Sequence, residues 1–162
     1  MNWEAIGAGG QLIAALGVIL SLVYLAVQIR QNTRSVRMAA HHGISNEFNQ
    51  TNLAMVQDPQ LLDLVSRGAD DPQSLSDAGR ARFFGCMLAL FRTYEELFVL
   101  SENGLVGPEL WHARKRSMKA WLARPGVQSW WRTGAFGSEI FIDSFRVAVD
   151  AELERLDSTA AY

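Results

Sequence analysis

Few residues in this chain combine the type and the spacing that chemistry needs. His41-His42 is the natural place to look for a metal or cofactor ligand. Adjacent side chains on a helix diverge by about 100°, so these imidazoles do not chelate one ion, and helical zinc pairs use the three- or four-residue spacing of HExxH. Glu47, five residues beyond His42, is no better placed. Glu95-Glu96 would suit a ferritin-like di-iron centre only alongside Glu-x-x-His motifs, which the chain lacks. Arg92 stands four residues before Glu96, which predicts an ion pair on a helix surface. Pairing of Glu95 with a basic residue of the next helix would be structural. Cys86 is the single cysteine, which excludes an internal disulfide and any multi-cysteine zinc site. A catalytic thiol needs a base and an electropositive setting, and no spacing brings His112 to Cys86, so the thiol reads as a small core residue. The sequence holds no P-loop, no GxSxG and no dinucleotide fingerprint; GAGG at 7–10 follows no strand. The expectation is a chain with no catalytic residue, no metal and no cofactor, and not an enzyme.

What remains informative is how the apolar residues are distributed. The chain has 162 residues, 49% of them apolar and 20% charged, with a net charge of −2. Those averages exclude global disorder, suit one domain, and argue against a dedicated nucleic-acid binder. They conceal a run of 25 residues, 5–29, without a single charge. As a helix it spans roughly 37 Å, enough for a hydrocarbon core of about 30 Å. A cleaved signal peptide fits poorly: the start carries no Lys or Arg, the apolar run is too long, and no small-x-small cleavage site precedes the first charges. Arg30, Arg34 and Arg37 follow the run as a membrane-surface collar, which His41 and His42 extend. Positive charge stays on the cytoplasmic side, so residues 1–30 are expected to form a transmembrane helix, N-terminus out, with 31–162 a cytoplasmic helical domain. The expected location is the inner (cytoplasmic) membrane. Along the span Gly7, Gly10, Ala14, Gly17 and Ser21 recur on one stripe that continues into Tyr24 and Gln28. Small residues so arranged let another helix approach closely, so this stripe is the expected packing face.

The elements after the span read as helices throughout. Neither Pro nor any Gly but Gly43 interrupts 28–57, so the first helix is expected to run on, with Ile44, Phe48 and Met55 making apolar contacts. Asp58-Pro59 starts a short amphipathic helix that Gly68 should end, and Asp71-Pro72 repeats the start signal. Ser76 caps a helix whose core stripe is Phe84, Met87, Phe91, Tyr94 and Phe98, ending near Asn103-Gly104. Gly107-Pro108 opens a helix with Trp111, Met118, Trp121 and Leu122, and a piece with Trp130 and Trp131 follows Pro125-Gly126. Ser138 is the expected cap of a last helix bearing Ile142, Phe145, Val149, Leu153 and Leu156 on one side. No strand alternation is present; the fold class is all-α, one membrane helix continuing into a small bundle.

Charge is shared unequally between these helices. Residues 108–132 carry a net +5 and 133–162 a net −4. Pairing of adjacent antiparallel helices across that contrast is the simple account. The sharper one is a basic, aromatic surface of Trp111, Arg114, Lys115, Lys119 and Trp121 that leans on anionic lipid.

The blocks LVYLAVQIRQNTR, DPQLLDLVSRGADDPQSLS, RARFFGCMLALFRTYEELF, PGVQSWW and FIDSF cover much of the chain. Through them it resembles a widespread family of uncharacterised bacterial single-pass membrane proteins. The resemblance implies an N-terminal membrane helix and a helical cytosolic domain, and brings no activity and no catalytic residue. The resulting expectation is a non-enzymatic accessory or scaffold subunit. It would dock through the stripe to an integral-membrane complex (respiratory, photosynthetic or transport) or to itself, with membrane lipids as further partners and no nucleic acid. The alternative is a membrane-tethered sensor or adaptor whose helical domain binds a cytosolic protein or ligand.

Overall fold

A computed structural model describes the backbone of residues 3–133 and 138–160, and the side chains of residue 11, 16–133 and 138–159. Among the described residues all regular structure is helical: α1 (Trp3–Gln57), α2 (Pro59–Asp70), α3 (Asp77–Glu102), α4 (Pro108–Leu122), α5 (Pro125–Thr133) and α6 (Asp143–Ala160), with single 3₁₀ turns at Pro72–Ser74 and Ser138–Ile140. The chain divides into two compact units, Met1–Ala39 and Ala40–Tyr162.

The described part of the first unit is the N-terminal portion of α1, whose last residues belong to the second unit. Its described side chains from Leu16 onward are exposed on every side, with Leu20 68%, Val23 57% and Ile29 65% accessible. Among the described residues no helix is long and apolar enough to cross a membrane. The charge-free run extends over 5–29, but the described part of its apolar stretch, 16–29, is 14 residues. That length covers only about 21 Å as helix.

In the second unit the helix boundaries follow local chemistry. The Asp58 carboxylate accepts from the N–H groups of Gln60 and Leu61, and Pro59 occupies the first turn, which fixes the start of α2. Ser76 Oγ accepts from Gly79 N–H to start α3. At its other end Leu105 N–H donates to Leu100 O and Gly104 N–H to Ser101 O. That closure requires the left-handed backbone Gly104 supplies, φ 65°.

The core joins all these helices. Ile44, Phe48 and Met55 of α1 are buried, as their spacing predicts. Met87, Phe91, Tyr94 and Phe98 of α3 are buried as the expected stripe requires, but at its first turn Phe83 is fully buried and Phe84 only partly. The reason is Gly68, which does not end α2 but lies within it, buried against the Phe83 ring. A Cβ there would sit 2.7 Å from that ring, so the glycine makes the seat that Phe83 fills. The last helix also departs from expectation. Ser138 opens only a 3₁₀ turn, α6 begins at Asp143, and Ile142 is 43% exposed. Phe145, Val149 and Leu153 are buried as expected. The break anticipated at Gly134 and Gly137 lies outside the described residues.

Where α5 crosses α2 the two backbones nearly touch. A Cβ on Gly126 would fall 2.1 Å from Gly68 O and 2.8 Å from Ala69 O. Neither backbone oxygen can retreat without moving a helix, so Gly126→Ala is expected to cost roughly 1–3 kcal/mol, as overpacking does. Gly85 on α3 has open space around it, and Gly85→Ala is expected to be neutral or to stabilise by up to about 1 kcal/mol. Thermal unfolding of the full chain followed by circular dichroism checks both; equal midpoints for the two variants would remove the crossing from this account.

Candidate functional site

The residues singled out for chemistry are dispersed. His41 and His42 are exposed, their rings edge to face at 6.1 Å. Among the described residues no group of three or more His, Cys, Asp and Glu side chains is placed to hold a metal. Cys86 is partly buried against the core, and burial raises its thiol pKa with Arg82 opposing weakly. The thiolate needed for nucleophilic attack is thereby disfavoured.

Two other carboxyl groups do meet across helices. Glu47 of α1 faces Glu96 of α3, and this neighbour together with burial raises the Glu47 pKa. Arg92 does not pair with Glu96 as the four-residue spacing suggested. Its guanidinium donates to Glu95 at 2.6 Å. Glu95 is buried, and its other oxygen accepts the Ile142 N–H at 2.7 Å. A side chain of α3 thus satisfies a backbone donor just ahead of α6, fixing where that helix starts.

The most concentrated polar arrangement lies between α4 and α6. Glu152, 1% exposed, is surrounded by Lys115 Nζ at 2.7 Å, Lys119 Nζ at 2.9 Å and Arg155 at 2.5 Å. Its Oε2 is in ion-pair range of Lys119 but outside hydrogen-bonding alignment. Burial works against the charge, yet the two lysine ammonium groups prevail and hold the carboxyl at about 2. Sequence reading detected the opposite charge of the two helices but not that Glu152 is their meeting point. The available signal was the i, i+4 spacing of Lys115 and Lys119 on one face.

This arrangement decides where the basic, aromatic surface points. Trp111 is buried edge to face with Phe98 at 5.4 Å. Lys115 and Lys119 turn toward α6, and Arg114 lies over the Phe48 ring of α1 at 4.6 Å. Trp121 is half-buried at the edge of an apolar groove of about 280 Å³, lined also by Met55, Val56, Leu62, Val65 and Arg124. Most of that helix's cationic and aromatic groups are therefore engaged within the bundle, leaving the groove as the apolar surface it offers.

On α1 the packing-face residues Gly7, Gly10 and Ala14 lie outside the described side chains. Gly17 has open space beside it, and Ser21 Oγ donates to Gly17 O at 2.9 Å. Tyr24 is 67% exposed, and Gln28 is exposed too. The collar residues Arg30, Arg34 and Arg37 are likewise exposed. Comparison with known protein families, curated proteins and solved structures finds no match for this chain.

The depressed Glu152 pKa has a signed consequence. Held at about 2 against an ordinary 4.5, the carboxylate contributes stability that is complete above about pH 4.5 and is lost as pH falls toward 2. The lysines are partly exposed, so solvent screens the pairs. Glu152→Gln is therefore expected to cost roughly 1–3 kcal/mol at neutral pH. The gap to the parent chain should close as pH falls through that window in thermal melts; a gap independent of pH would assign the loss to packing alone.

Proposed function

We propose that α1 anchors this chain in the inner (cytoplasmic) membrane through residues 5–29, and that the chain is a non-enzymatic accessory or scaffold subunit of an integral-membrane assembly. The observation that carries this reading is the stretch 16–29, free of charge, predominantly apolar and exposed on every side of its helix. An exposed helix with no charge and so few polar groups is poorly placed in water; it needs lipid or other protein around it. Helices in lipid associate through close packing, and the Gly17–Ser21–Tyr24–Gln28 stripe offers one face for that, toward a larger partner or a second copy. The arginines beyond Ile29 orient residues 31–162 to the cytoplasm. Kinship with the bacterial single-pass family whose sequence blocks it resembles belongs to the same reading.

A second reading is favoured by the groove beside Trp121. Its apolar lining of Met55, Val56, Leu62 and Val65, with Arg124 at the rim, suits a membrane-tethered adaptor that captures a cytosolic protein or ligand.

Under the first reading the full chain resists alkaline extraction from native membranes, and purification in mild detergent brings down a membrane protein in fixed ratio. Gly17→Leu is expected to lower that recovery severalfold while helicity stays unchanged. Release by alkali sinks the anchor; solitary elution, or recovery indifferent to Gly17→Leu, sinks docking through the stripe.

A further inference from the structure

We infer that the Arg30–Arg34–Arg37 face of α1 binds the headgroups of anionic phospholipids, an assignment that rests on the membrane-anchor reading and specifies which lipids surround it. Spacings of four and three residues place the three guanidinium groups within an arc of about 60° along roughly 10 Å of helix. The same face continues backward through Leu16, Leu20, Val23 and Val27, all exposed. One stripe therefore changes from purely apolar to purely cationic at a single point.

Among the described residues these cations have no ion-pair partner. No acidic residue occurs between Glu4 and Glu47, so their own helix supplies no carboxylate within reach. Among the described residues none of the three is in an ion pair, whereas ten of the twelve Lys and Arg side chains from Arg67 onward are. Of the other two, Arg114 is stacked on Phe48 and Arg116 reaches the His112 carbonyl. The bundle neutralises or engages its positive charge internally. The collar leaves its charge outward, where an anion must come from outside the chain.

Depth selects the anion. With the apolar run in hydrocarbon, Arg30 and Arg34 fall within the first ~8 Å beyond Ile29, about the thickness of a headgroup layer. Arg37 lies slightly farther out, and its long aliphatic stem lets the guanidinium reach back. Guanidinium forks match phosphate oxygens in pairs. A choline headgroup offsets its own phosphate with a cation, whereas a headgroup with net negative charge does not. Each arginine near an anionic surface is worth roughly a fivefold preference.

The test reconstitutes the full chain in phosphatidylcholine vesicles carrying trace spin-labelled phosphatidylglycerol or spin-labelled phosphatidylcholine. The fraction of label immobilised at the protein is then measured. The anionic label is expected to be held severalfold more than the choline label. The preference should vanish in the triple variant R30Q/R34Q/R37Q and weaken at molar salt. Equal immobilisation of both labels in the parent chain, or a preference surviving in the triple variant, overturns the inference. Alkaline washing of the same vesicles separates the two claims. A chain that stays embedded with no lipid preference refutes headgroup binding alone, and a chain that washes off refutes the anchor and the inference with it.

Discussion

The bundle depends on burying one indole together with its N–H. Trp131, 1% exposed, stacks on Phe141 at 5.2 Å and meets Phe91, Trp130 and Phe145 within 5.5–6.2 Å. Its Nε1–H donates to Asp150 at 2.8 Å. A ring of this size removes about 200 Å² from water, a favourable contribution on the order of 5 kcal/mol. The donor would forfeit part of it if left unpaired. Through this residue α3, α5, α6 and the segment before α6 acquire a common centre. The short α5 can reach that centre only because Gly126 lets it lie directly on α2.

Around that centre several polar groups hold the helices in position. Glu95 holds the approach to α6, and Glu152 gathers the lysines of α4 onto α6. Asp70 is held against Arg124 at 2.5 Å, tying the end of α2 to the chain just before α5. The two buried carboxylates among the described residues, Glu95 and Glu152, each have structural partners, and the exposed Asp70–Arg124 pair adds a tie at the surface. Among the described residues, the exposed apolar stretch of α1, its cationic collar and the groove beside Trp121 are the surfaces on which the proposals above rest.

Much of this was legible in the sequence where the signal is local. The cap at Asp58, the Pro59 start, the Ser76 cap and the stop near Gly104 depend on residues within a turn of one another. The inward placement of Ile44, Phe48 and Met55 follows from helical periodicity alone. What escaped depends on distant residues. Phe83 and Phe84 are adjacent and equally apolar, and only the missing side chain at Gly68 decides between them. The start of α6 is set by Glu95, 47 residues upstream of Ile142, which no local cap signal could announce. Opposite net charges flagged α4 and α6 as partners, but the buried position of Glu152 follows from the packed geometry. For the proposed anchor the position is reversed: its length and lack of charge are plain in the sequence.

The distribution of tryptophans gives the chain an optical consequence. Trp111, Trp130 and Trp131 are buried and Trp121 is half-buried, all within the second unit, and Trp3 is the one indole of the first. Four of the five indoles, and so most of the near-ultraviolet tryptophan absorption, therefore belong to the bundle. Loosening of the aromatic centre should shift their emission to longer wavelength, whereas rearrangement confined to 16–39, which carries Tyr24 alone among aromatic residues, should pass almost unseen. The molecule thus carries an intrinsic reporter for one of its two units.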